Sequence, residues 1–229
     1  MAASAKFRDR PQSDDLEDLH YTLAATGPIR VAIVEDDERA RQAIAFQLRT
    51  AGFEVAAYST AEEVLAVVDT MAFDCVVADI YLPRMNGLQL QEKLNRVIPY
   101  ASIVFVTGHG DLSLGMHAMR KGAVDFLEKP VDDQALLSSI ARGAHLSRKR
   151  RAEQFERTEL DELQRSLTAR EREVFALITT GLLNKQVGAE LGTTERTVKA
   201  HRASVMSKMG AGSIADLVRM AGILHIHAC

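Results

Sequence analysis

Cysteine is scarce in this sequence: Cys75 sits inside an apolar run and Cys229 is the last residue. Two cysteines so placed exclude a disulfide framework and form no C-x-x-C metal pair, which suits a reducing compartment. Long hydrophobic runs are also missing. The apolar stretches reach only strand length, well short of the roughly 18 to 20 residues of a membrane span, so a soluble protein with no membrane partner is expected. Met1 to Asp18 mixes basic and acidic side chains around no apolar segment, which excludes a secretory signal and predicts a cytoplasmic location. No internal repeat and no nucleophile triad is visible. What remains is ordinary globular usage, 47% apolar and 26% charged over 229 residues, with room for two domains.

Charge is unevenly distributed. Residues 1–143 carry 14 basic and 21 acidic side chains and the rest 14 basic and 10 acidic, for an overall −3. Opposite signs in the two parts suggest a cation-binding part joined to an anion-binding part. Residues 1–27 are polar, lack periodicity and read as a loosely attached extension. From Ile29 onward, short apolar runs at Ile29 to Val34, Glu54 to Tyr58, Cys75 to Ala78, Ile103 to Val106 and Val124 to Leu127 alternate with amphipathic stretches, among them Glu38 to Ala51 and Ala61 to Thr70. Strands without polar alternation, interleaved with helices, predict a doubly wound α/β domain with a five-stranded parallel sheet over 28–143. Residues 144–166 form a charged helical linker that opens on Arg148-Lys149-Arg150-Arg151, read as a solvated helix, a dimer contact or a nonspecific phosphate contact. Residues 167–229 read as a small all-α domain. Thr168 with Glu171 makes a capping box, Gly181 ends that helix, and Thr194 is a second N-cap.

Ligands of an open parallel sheet bind beyond the carboxyl ends of its strands. Strand one ends in Glu35-Asp36-Asp37, strand three in Asp79, strand four in Thr107, and strand five leads to Lys129-Pro130. Carboxylates converging on one edge repel one another, and a hard divalent cation such as Mg²⁺ relieves that repulsion. Cys75 reads as a small core residue. His225, His227 and Cys229 have strand-like spacing at the chain end and read as a tail rather than a metal site.

These residues resemble the receiver domain of two-component response regulators, with a flavodoxin-like fold, from Ile29 to about Gly143. The run Thr107-Gly108-His109-Gly110-Asp111 resembles the FixJ branch of the NarL/FixJ type. The resemblance implies that Asp79, within Val76-Val77-Ala78-Asp79-Ile80-Tyr81-Leu82-Pro83, accepts a phosphoryl group from a partner sensor histidine kinase. It implies Mg²⁺ held by Asp36, Asp79 and the Tyr81 backbone carbonyl with Glu35 assisting, while Asp37 starts the helix. Lys129 is implied as the phosphate-binding ammonium, Thr107 as the hydroxyl that closes on the phosphoryl group and Phe126 as the switch aromatic, with His109 at most tuning phosphoryl lifetime. One departure lies at Leu112-Ser113-Leu114-Gly115, where a proline and a better helix former are expected, so the next helix is predicted to be loose.

In the C-terminal part, Lys185 to Leu191 and Glu195 to Met209 read as helices joined by a turn at Gly192-Thr193, with Val198, Val205 and Met209 facing a core. Gly181-Leu182-Leu183-Asn184-Lys185, Thr197-Val198-Lys199-Ala200-His201-Arg202 and Lys208-Met209-Gly210-Ala211 resemble the LuxR-type helix-turn-helix. That likeness implies double-stranded promoter DNA as partner, with the second helix in the major groove. Arg196, Lys199, Ala200 and Ala203 are expected nearest the bases, Asn184, Lys185, Thr194, Arg202 and Lys208 on phosphates, and Thr197 within the same surface.

The whole reads as a phosphorylation-activated transcription factor, not an enzyme, that forms a homodimer on phosphorylation and controls transcription through RNA polymerase. The dimer contact is expected on Met116 to Lys121 and Asp132 to Arg142, with Arg120 and Lys121 facing Asp132 and Asp133 in charge. Two other classes compete: a Mg-dependent phosphohydrolase with an aspartate nucleophile, and a DNA-binding protein whose receiver is never phosphorylated. The phosphohydrolase would need a second acid two residues after Asp79, where Tyr81 stands.

Overall fold

The computed structural model describes residues 27–108 and 112–226. The extension before residue 27, His109, His227 and Cys229 lie outside the described residues. The chain divides into two compact units on either side of the Arg151–Ala152 bond.

In the first unit, β1 (Arg30–Val34), β2 (Glu54–Tyr58), β3 (Cys75–Ala78), β4 (Ser102–Thr107) and β5 (Asp125–Glu128) are parallel and ordered β2-β1-β3-β4-β5 among the described residues. Alternate residues of each strand build two separate cores. Val34, Ala78, Ile103 and Phe105 pack with helices α2 (Ala61–Leu65), α3 (Gly87–Val97) and α4 (Leu112–Arg120). Val31, Ile33, Cys75, Val77, Val104 and Val106 pack with α1 (Glu38–Thr50) and α5 (Asp133–Arg165). Burial on both faces is why β1, β3 and β4 read as unbroken apolar runs. It also pushes the Cys75 thiol up, leaving it an inert core group.

Three expectations need correction. The helix expected over Ala61 to Thr70 stops at Leu65. Beyond it the backbone tightens into turns, with Thr70 N donating to Val67 O at 3.0 Å and the Thr70 hydroxyl donating to the same carbonyl, the competition with helix that threonine offers. The linker is not a separate helix: α5 runs without a break from Asp133 to Arg165. Nor is its basic run fully solvated. Buried Asp74, 2% exposed, accepts from Arg148 Nη2 at 3.0 Å and from the Arg30 backbone N at 3.0 Å. Arg151 donates to Phe73 O at 3.1 Å and lies over the Tyr100 ring at 4.7 Å.

In the second unit α6 (Ala169–Ile178), α7 (Asn184–Glu190), α8 (Glu195–Met209) and α9 (Ile214–Ile223) surround Val174, Phe175, Val187, Val198, Val205 and Leu217. The Thr168–Glu171 capping box and the Thr194 cap form as expected. Helix α6 ends at Ile178, earlier than Gly181 suggested, because the Thr179 and Thr180 hydroxyls turn back onto its last carbonyls. The turn between α7 and α8 is tight: Thr193 N donates to Gly188 O at 2.8 Å, and a Cβ on Gly188 would stand 2.9 Å from Thr193 O.

Candidate functional site

Strand register assembles the acidic edge. Val34 pairs with Ala78, so the next residues, Glu35 and Asp79, emerge side by side. Thr107 pairs with Glu128, and Lys129 follows, its backbone N donating to Thr107 O at 2.8 Å. The Lys129 ammonium donates to Glu35 Oε2 and Asp79 Oδ2, each at 2.7 Å. Asp79 Oδ1 accepts from Tyr81 N at 2.9 Å. Glu35 and Asp79 are 3% and 8% exposed, while Asp36 is exposed. Asp37 accepts from Ala40 N, which caps α1 and lowers the Asp37 pKa.

Two buried carboxylates therefore share one ammonium. Burial raises the Glu35 pKa against the opposing pull of Lys129. Burial works to lower Lys129, but its bonds to Asp79 and Glu35 outweigh that and raise it. Among the described residues no three His, Cys, Asp or Glu side chains stand together as a ready-made metal cage. The charge balance nonetheless fits a hard cation: buried Glu35 and Asp79 bring two carboxylates against one ammonium, and exposed Asp36 follows Glu35 in the chain.

Thr107 is fully buried and Phe126 half-buried. Phe126 pairs with Phe105, two residues before Thr107, which puts Phe126 and Thr107 on one sheet face a diagonal step apart. Sequence reasoning missed Gly87, where a Cβ would stand 2.4 Å from the Asp79 carbonyl oxygen and 2.9 Å from Phe105 Cε1. The absent side chain lets α3 start directly against the strand that carries Asp79. The signal was present in the Asn86-Gly87 step, but only the structure shows what approaches it. In the region expected to form a dimer, Lys121 pairs with Glu92 at 3.4 Å and Arg142 with Asp125 at 2.6 Å.

On α8, Arg196, Lys199, Ala200 and Ala203 are all exposed, and their spacing makes one stripe, while Val198, Val205 and Met209 are buried. Lys185 is exposed on α7. Other residues expected on phosphates have protein partners. Asn184 Oδ1 accepts from Arg202 Nη1 at 3.1 Å, and the Thr194 hydroxyl caps α8 and bonds Thr197. Lys208 donates to buried Glu171 at 2.7 Å, and Glu171 also accepts from Ser204 Oγ and Thr168 N. The bonds from Lys208, Ser204 and Thr168 lower the Glu171 pKa to about 2.

Lys208 is thus paired with a buried carboxylate of its own domain. A depressed carboxylate stabilises the fold above its unfolded value of 4.5, and that support is lost as pH falls through about 2. Lys208→Ala should lower the melting temperature at neutral pH, and the gap from wild type should close as pH falls from 4.5 toward 2. An equal gap at both ends of that range, by calorimetry, would refute the pairing.

An acid-lysine edge on a β2-β1-β3-β4-β5 sheet, followed by a tight-turned helix pair with an exposed basic stripe, defines a receiver-type domain joined to a helix-turn-helix module. Residues 31–141 match the response regulator receiver domain model, and residues 165–221 match the model of bacterial regulatory proteins of the luxR family. Nodulation protein W of Bradyrhizobium diazoefficiens is 44% identical over 208 residues, 91% of each chain. Transcriptional regulatory protein FixJ of Azorhizobium caulinodans is 36% identical over 191 residues, 83% of this chain and 90% of that one. Among solved structures, response regulator StyR superposes with a TM-score of 0.74 at 39% identity, covering 86% of this chain and 99% of its own. Full-length FixJ from B. japonicum gives 0.52 at 33% identity, covering 86% and 97%. The chain belongs to the response regulators of the NarL/FixJ type, transcription factors that join a receiver domain to a LuxR-type DNA-binding domain. No helix among the described residues is long and apolar enough to cross a membrane.

Proposed function

We propose that this regulator is switched by phosphorylation of Asp79 from a partner sensor histidine kinase and then binds promoter DNA as a homodimer, acting on transcription through RNA polymerase. Residues 28–143 form the phosphorylated part, 144–166 the linker and 167–229 the DNA-binding part. The observation that carries this reading is the buried Asp79 carboxylate at the sheet edge, bonded to Lys129 and flanked by Glu35. A carboxylate oxygen of Asp79 attacks phosphorus, the bond to the donor imidazole breaks, and Lys129 neutralises the transferred oxygens. Glu35, Asp36, Asp79 and the Tyr81 carbonyl would hold Mg²⁺, which supplies further neutralisation of phosphoryl charge. The acyl phosphate carries about −1.5 to −2 charge in place of one carboxylate. Thr107 closes on it and Phe126 follows on the same sheet face. In the DNA-binding part, Arg196, Lys199, Ala200 and Ala203 face base edges, with Lys185 on phosphate and Asn184, Arg202, Thr194 and Thr197 positioning α8.

The direct test is intact mass after incubation with Mg²⁺ and acetyl phosphate, with sedimentation before and after. One phosphoryl group and a monomer-to-dimer change are expected. Steady release of phosphate with no retained adduct would favour a phosphohydrolase, and no reaction at all would favour a receiver that is never phosphorylated.

The cation also has a pH signature. Burial raises the Glu35 pKa above its ordinary 4.5, so the protonated carboxyl favours the fold. That contribution is present below the unfolded value and is lost as pH rises through the folded one. Mg²⁺ should raise the melting temperature near neutral pH and lose that effect as pH falls and a proton competes with it for Glu35. A Mg²⁺ increment that persists unchanged at the acid end would remove Glu35 from the cation's ligands.

A further inference from the structure

The Phe126 ring rests on bare backbone. A Cβ built on Gly115 of α4 would stand 3.2 Å from Phe126 Cδ1 and 3.3 Å from Cε1 and Cγ, inside the roughly 3.5–4.0 Å at which carbon atoms pack. In the same structure the Asp79 carboxylate holds Lys129. The ring and the helix therefore compete for the space a side chain at position 115 would fill.

The helix has little freedom to yield. Gln91 Nε2, buried on α3, donates to Ala118 O at 3.1 Å, Asn95 Nδ2 donates to Lys121 O at 3.2 Å, and Glu92 pairs with Lys121 at 3.4 Å. These three side chains on α3 fasten the C-terminal turn of α4. Gly115 is buried whereas Phe126 is half-buried, so the ring has somewhere to go and the backbone at 115 does not. A side chain at this position presses on the aromatic group, which must give way by a few tenths of an ångström at least.

We propose that Gly115 is the positioning residue of the Phe126 switch: by lacking a side chain it keeps the ring docked on α4 while Asp79 is a free carboxylate, and so sets how far the receiver stands from its activated arrangement. The proposal rests on the reading of Thr107 and Phe126 as the switch pair. On this proposal a side chain at 115 raises the energy of the docked arrangement more than that of the arrangement in which the ring has moved away. By linkage, the shift it causes without phosphate must be subtracted from the gain phosphorylation later delivers.

The test uses the full chain and a DNA duplex selected from a random library by the phosphorylated wild type. Gly115→Val should bind that duplex about tenfold more tightly before phosphorylation, and its gain on treatment with acetyl phosphate and Mg²⁺ should shrink by the same factor. Gly115→Ala, the milder change, should move both quantities in the same direction by less, and it decides the matter if the valine variant fails to fold. On a Phe126→Leu background, Gly115→Val should change duplex affinity less than about twofold, because the collision is gone. Proteins labelled with fluorophenylalanine should show the Phe126 resonance, assigned by its loss in Phe126→Leu, shifted in both Gly115 variants. Unchanged affinity with an unmoved Phe126 resonance would overturn the proposal, as would an equal effect of Gly115→Val on the Phe126→Leu background. If wild-type affinity itself ignores phosphorylation, the switch reading fails and the proposal falls with it, an outcome distinct from a wild type that switches and variants that match it.

Discussion

Asp79→Asn should gain no phosphoryl mass with acetyl phosphate and Mg²⁺, and its affinity for promoter DNA should stay at the level of the untreated wild type. The amide has the shape of the carboxylate, but its nitrogen is no nucleophile toward phosphorus. The geometry also says what the substitution leaves intact. Asp79 accepts from Tyr81 N through one oxygen and from Lys129 through the other, and the amide has a single oxygen, so one of these bonds is lost. Lys129 keeps Glu35 at 2.7 Å and is not stranded. Glu35 loses a neighbouring negative charge that helped to raise its pKa. The fold should therefore survive, with cooperative melting and unchanged far-ultraviolet dichroism. A phosphoryl group retained by the asparagine variant would place the acceptor elsewhere.

Lys199→Ala should cost about 1 to 3 kcal/mol on the preferred duplex and much less on random DNA, since a base-edge contact discriminates and a phosphate contact does not. Lys199 shares its exposed stripe with Arg196, Ala200 and Ala203, and the two alanines bring no polar groups, so the stripe relies on its two cations. The linker run should behave differently. Arg148 and Arg151 are engaged with Asp74, Phe73 and Tyr100, which leaves Lys149 and Arg150 exposed. Neutralising those two should weaken both duplexes equally and reduce the salt slope by about 2 at most. Neutralising Arg148 and Arg151 should instead lower the melting temperature of the receiver. Equal losses on preferred and random DNA for Lys199→Ala would move it to the phosphate-contacting set and pass base reading to Arg196.

The sheet was legible because strands buried on both faces leave unbroken apolar runs, and the acidic edge because parallel strands all end on one side. Helix α8 was legible to the residue, from Thr194 as its cap to Met209 on its buried face. Pairings between distant positions left no local trace. Asp74 with Arg148 and Glu171 with Lys208 join residues 74 and 37 positions apart, so four basic side chains in a row looked like one solvated patch and the carboxylate partner of Lys208 left no sign. Gly115 likewise answers to a residue distant in sequence. Helix propensity weighs what a residue does to its own helix, whereas here the glycine answers to a ring on β5.

Gly87 carries a consequence for how this receiver can diverge. With the Asp79 carbonyl oxygen, Phe105 and the Ile80 backbone all within 3.0 Å of where a side chain would begin, the position is closed to every other amino acid unless the strand bearing Asp79 moves. Mutational drift is thereby channelled into the exposed side chains of the same loop, Tyr81 and Arg84. Descendants of this sequence can change what borders the acidic edge, while the placement of the Asp79 carboxylate itself is inherited unchanged.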